Sequence, residues 1–221
     1  MSIIKLIEKN IPYDQRVFEK WKNGNHDMLN KHIPPHVTTF LINKAKKRKI
    51  ANQESRLFSE AMALNYFIPS VKNNVIWYNS FKWLSASKWV TCIVSKKIER
   101  QFCRDIHAYL KFEKKTGIEF MQSKARDLKE KAGAELLGKT KSGKIKNPTA
   151  PDIWFINKDD KLVFVEAKRE EALESTQLAG IALIKKYLCA DVLVVRFYPK
   201  ANVAPEPIDH TNKFNQFYKL A

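Results

Sequence analysis

Residues 151–168 read PDIWFINKDDKLVFVEAK. Two apolar, strand-forming runs, 153–156 and 162–165, flank the polar segment 157–161, a pattern that predicts a β-hairpin. A turn centred on Asp159 fixes the register: opposed residues have numbers summing to 318, so Asp152 faces Glu166. Side chains opposed in this way hold their Cβ atoms about 4.5–5.5 Å apart. Lys168 lies two positions beyond Glu166 and shares its face, because strand side chains alternate. One register thus gathers two carboxylates and an ammonium at the rim of two strands with apolar middles. The turn residues Asp159 and Asp160 are read as turn formers and not as ligands.

Two carboxylates this close repel each other unless a cation sits between them. Mg²⁺ fits, since it takes one or two carboxylates, keeps several waters and bridges to phosphate oxygens; Mn²⁺ is expected to substitute. The metal would activate water and polarise a phosphate. Lys168 would orient that water or stabilise charge developing on phosphorus. Taken alone, a Glu-x-Lys at a strand end is usually a surface ion pair. Here it stands with a Pro-Asp before the preceding strand, a matching register, a following helix and a strongly basic chain.

The chain has 221 residues, 44% of them hydrophobic, enough for a sizeable core. Its 40 Lys and Arg against 23 Asp and Glu give a net charge of +17 and a pI near 9.7. Such an excess points to a polyanionic partner, nucleic acid before membrane, because no basic amphipathic helix with a continuous Trp/Leu face is evident. No apolar run reaches the roughly 18 residues of a spanning helix. The start, MSIIKLIEKNIPYDQ, lacks the cleavage pattern of a signal peptide. Cys92, Cys103 and Cys189 are odd in number and unpaired in pattern, as in a reduced, intracellular protein. The expected location is the cytoplasm of a prokaryote or of a virus-infected host, in association with nucleic acid.

Residues 1–95 are read as a basic, mostly helical region that engages DNA or dimerises, and 96–221 as the core. Pro34-Pro35 argues against a helix carrying both His32 and His36. A helix is predicted over 53–67, with Leu57, Ala61 and Leu64 on one stripe. The aromatic stretch 70–95 reads as short strands or irregular structure, its Trp77, Tyr78, Phe81, Trp83 and Trp89 serving core packing rather than base stacking. Ile98, Phe102, Ile106 and Leu110 define a long helix ended at Thr116-Gly117, followed by a short strand over 118–121. A charged helix over 123–137 stops at Gly138, and a basic, flexible loop covers 139–147. Ser175 caps a helix to about 188, a strand spans 191–198, and the tail is polar.

The Pro151-Asp152…Glu166-Ala167-Lys168 motif and the elements after it resemble the PD-(D/E)XK nuclease superfamily over roughly residues 96–198. Within it the chain looks most like the virus-type replication-repair (VRR-NUC) branch, whose Leu-Ser…Gln pattern is matched by Leu173-Glu-Ser-Thr-Gln177. The resemblance implies an α/β, restriction-endonuclease-like core in the order α-β-β-β-α-β, a mixed sheet flanked by helices. It implies Mg²⁺-dependent hydrolysis of DNA phosphodiesters, with Asp152, Glu166 and the Ala167 carbonyl as metal ligands and Lys168 assisting the water. It also implies a glutamate on the first helix, mapped to Glu99, with Glu119 as the alternative, and Gln177 hydrogen-bonded near the metal.

The basic runs Lys139, Lys141, Lys144, Lys146 and Lys46, Lys47, Arg48 are candidate contacts to the DNA backbone, double-stranded or branched. A homodimer is one option. The competing class is a non-catalytic nucleic-acid-binding or assembly protein that keeps the fold. The intact Asp…Glu-x-Lys set argues against it.

Overall fold

The computed structural model describes residues 3–49, 57–78, 104–105 and 114–221. In chain order these form β1 (Lys9–Tyr13), α1 (Gln15–Lys22), α2 (Pro35–Lys49), α3 (Phe58–Phe67) and β2 (Val71–Tyr78). There follow α4 (Lys114–Leu137), β3 (Ile153–Asn157), β4 (Leu162–Lys168), α5 (Ser175–Tyr187), β5 (Asp191–Pro199) and α6 (Thr211–Leu220). The five strands make one mixed sheet in the order β1-β5-β4-β3-β2. Strand β3 runs antiparallel to both β2 and β4, while β5 is parallel to both β4 and β1.

The hairpin has the predicted register, with Ile153 opposite Val165 and Ile156 opposite Leu162. Its strands read as continuous apolar runs because helices cover both faces. Trp154, Ile156, Phe164 and Val194 pack with Met121, Leu128, Leu178, Ile181, Phe214 and Phe217 of α4–α6. Ile153, Phe155, Val163, Val165 and Phe197 pack on the other face with Phe18, Trp21, Leu41, Phe58 and Leu64 of α1–α3. The Leu57–Ala61–Leu64 stripe is fully buried, as its spacing requires. Trp77 and Tyr78 are core residues of β2.

Several expectations are corrected. Strands on both sides of residue 95 share the sheet, so dividing the chain into 1–95 and 96–221 cuts through one core. The first part supplies both edge strands and a whole helical layer. No strand forms over 118–121, and Gly117 ends nothing: α4 runs from Lys114 to Leu137, kinked at Gly133. The stripe Met121–Ala125–Leu128–Ala132 recurs at helical spacing and is buried throughout, which outweighs one glycine. Gly138, at φ +73°, does end the helix as expected.

No helix carries both His32 and His36, as expected: α2 opens at Pro35, where proline forfeits no helical hydrogen bond, and His32 lies before it. The N-cap of α5 is Glu174, not Ser175, in a reciprocal capping box with Gln177. The tail is not merely polar: α6 buries Phe214 and Phe217 completely, each stabilising by about 1.5–3 kcal/mol. Residues 139–146 form a tight turn, Lys139 bridging Ile145. The predicted stripe from Ile98 to Leu110, together with Phe81, Trp83, Trp89, Cys92 and Cys103, lies outside the described residues. Cys189 is an exposed free thiol. Among the described residues no helix is long and apolar enough to cross a membrane.

Candidate active site

Asp152 stands one residue before β3 and Glu166 lies inside β4, so the observed register carries outward to this pair. Asp152 stands in the electrostatic field of Lys168, Lys44 and Glu166. Burial, then the negative charge of Asp152, pushes Glu166 well above the usual carboxylate range. Burial likewise raises Asp152, against the pull of Lys168 and Lys44. Asp152 keeps partial solvent access, whereas Glu166 is 1% exposed.

Lys168 Nζ lies 3.1 Å from Glu166 Oε1. Burial works against its ammonium, but Glu166, Asp152 and Glu171 outweigh that, and its pKa is raised. Gln177 approaches from the first turn of α5 and donates Nε2–H to Glu166 Oε1 at 2.5 Å. Its Oε1 is occupied by the Glu174 N–H at 2.9 Å. The capping box therefore fixes which end of the amide faces the site.

The structure adds a residue that sequence reasoning missed. Glu60 on α3 is 8% exposed and accepts from Ser59 Oγ at 3.0 Å. Burial first, then the charge of Asp152, raises its pKa to about 8. The signal was present: Glu60 is the one charge in the otherwise uncharged helix FSEAMALNYF, buried against a sheet. Lys44 of α2 also reaches this region, its Nζ donating to the Tyr78 hydroxyl at 2.9 Å.

Of the other candidates, Glu99 lies outside the described residues, and Glu119 is exposed on α4. Lys139, Lys141, Lys144 and Lys146 are all exposed. Lys146 lines a cavity of about 400 Å³ with Lys213, Ser175 and Thr176, beside Gln177. Lys46 is exposed on α2, while the side chains of Lys47 and Arg48 are outside those described. The histidines show no joint site: His36 packs against Trp77, with ring centroids 4.6 Å apart, and His32 is exposed in the loop before α2.

The donor set fits one hard divalent cation. Burial raises both carboxyls, and the charge of Asp152 raises Glu166 further; the chemistry of paired oxygens suits Mg²⁺. Among the described residues no three acidic, histidine or cysteine side chains close into a ready-made metal cluster. Glu60 acts on the pair through its charge.

Glu60 makes metal-free stability depend on pH. Its folded pKa, about 8, lies above the ordinary glutamate value of 4.5, so its contribution is full below pH 4.5 and is lost as pH rises towards 8. At about 1.36 kcal/mol per unit the loss amounts to several kcal/mol. E60Q, which cannot ionise, is expected to raise Tm at pH 8 in chelator and to leave it unchanged near pH 4.5. Equal shifts at both pH values would show that this carboxyl does not titrate in the fold.

Comparisons with protein families, with curated proteins and with solved structures find no match to this chain.

Proposed function

We propose that the chain is a Mg²⁺-dependent deoxyribonuclease with a restriction-endonuclease-like core of the PD-(D/E)XK kind, nearest the VRR-NUC branch. The observation that carries the reading is the hairpin register that opposes Asp152 and Glu166 and sets Lys168 beside them. Support comes from the order α3-β2-β3-β4-α5-β5, which begins near residue 58 rather than 96 and is interrupted by α4 between β2 and β3. On this alignment Glu60 occupies the first-helix glutamate position expected of Glu99.

Asp152 and Glu166 would hold the ion, with the Ala167 carbonyl as a third oxygen. When bound, the ion supplies Lewis-acid polarisation and a more acidic water. Gln177 keeps the Glu166 carboxylate from rotating. Lys168 positions the attacking water and stabilises the charge that builds on phosphorus as its bond to the leaving oxygen breaks. Lysines on both helical layers, Lys46 and the 139–146 turn among them, would neutralise backbone phosphates.

The test is cleavage of supercoiled plasmid, single-stranded and branched DNA with Mg²⁺, Mn²⁺ or chelator. Metal-dependent products from at least one form are expected. Binding without product from all three would instead make the chain a non-catalytic DNA-binding protein.

A further inference from the structure

A second lysine enters the site from the layer opposite Gln177. In α2, Val37, Leu41 and Ala45 form the buried stripe against the sheet. Lys44, next to that stripe, is half-buried and carries its ammonium to Tyr78 at the end of β2. The ammonium also lies 5.0 Å from the Tyr78 ring centroid. Tyr78 is 1% exposed and pairs with Ile153, the neighbour of Asp152, so the tether is rigid and adjacent to the carboxylates. The charge of Lys44 is felt by both Asp152 and Glu60.

Resting on the nuclease reading above, we propose that Lys44 is a substrate-contacting residue whose ammonium, steadied by the Tyr78 hydroxyl, takes a phosphate oxygen of the bound DNA strand. Lys168 is less suited to that task, since it is 9% exposed and less open to solvent than Lys44. Charge favours the contact as well. Three carboxylates facing two ammoniums leave a net negative site when ionised, and a divalent ion reverses that sign. The half-exposed Lys44 then faces an incoming phosphate rather than an uncompensated acid.

The rival role for Lys44 is simply to balance Glu60 and Asp152. Counterion release separates the two. Only a lysine that neutralises a phosphate in the complex contributes to the slope of log affinity against log salt, by about 0.9 per contact on duplex DNA and about 0.7 on a single strand. The full chain would be titrated against a fluorescent duplex and its single strand in Ca²⁺ across a KCl series, with the DNA checked for intactness. K44M is expected to flatten the slope by about one contact. K72M serves as control and should not, because Lys72 pairs with Asp160 at the far, turn end of the hairpin. The double variant K44M/E60Q, which removes one charge of each sign, guards against a misfolded single variant and should show the same flattening. A wild-type slope in both variants would overturn the assignment of Lys44 alone. A wild-type chain that binds neither DNA would remove the nuclease reading and this contact together.

Discussion

Glu166→Gln is expected to slow Mg²⁺-dependent cleavage by roughly 10²–10³-fold or more, the scale of removing one preorganised electrostatic group, while DNA binding persists. The substitution keeps volume and still accepts the hydrogen bond from Gln177, so its effect is confined to charge. It takes away one of the two carboxylates that would hold the ion and the negative charge that Lys168 Nζ meets at 3.1 Å. Single-turnover cleavage at saturating DNA is the measurement, and a variant cutting at the wild-type rate would remove the site assignment. A second readout needs no activity. Mg²⁺ should raise the Tm of the wild type, because it binds the folded chain, and should do so far less for the variant. In chelator the order reverses: relief of the Asp152–Glu166 repulsion should leave the variant the more stable of the two.

What could be read from sequence was local. The register of β3 and β4 followed from two apolar runs and one polar turn, because a hairpin fixes its own pairing within a few residues. Gln177 was placed by the helix immediately after the motif. Glu60 was not, although it sits in the same electrostatic field. It comes from a helix that precedes the motif by some ninety residues, and only tertiary packing joins them. Strand β1 was missed for a related reason. Its sequence, KNIPY, is short and carries Pro12, tolerable because β1 is an edge strand, and its parallel partner β5 lies at the other end of the chain. The boundary drawn at residue 95 failed with it, since it assumed that a region without a visible strand pattern lay outside the sheet. Helix α4 shows the opposite error, in which a glycine and two β-compatible residues were weighted above a four-member apolar stripe.

Loss of Glu8 is expected to destabilise the fold by about 3–5 kcal/mol, the usual cost of leaving a buried charge without its partner. Glu8 is 3% exposed and accepts from Arg196 at Nε, 2.5 Å, and at Nη2, 3.1 Å. His210 Nε2 lies 2.8 Å from the same carboxylate. Arg196 is 6% exposed and also donates to the carbonyls of Arg169 and Glu171, at 3.2 and 3.3 Å. Those carbonyls follow directly on Lys168, and Arg196 is the residue paired with Lys168 across β4 and β5. One guanidinium thus ties the segment before β1, the strand β5 and the exit of the Glu-x-Lys strand together, while His210 adds the start of α6. E8A would strand Arg196 in the core. Combining it with R196M removes the orphaned charge, so the double variant should lose less than the sum of the singles. Urea unfolding with unchanged m-values is the measurement. A loss under about 1 kcal/mol for E8A would mean that water reaches Arg196 and screens it, as at an exposed ion pair. With the full loss, cleavage by the surviving folded fraction should also fall, because the end of β4 that presents Lys168 would no longer be anchored to β5.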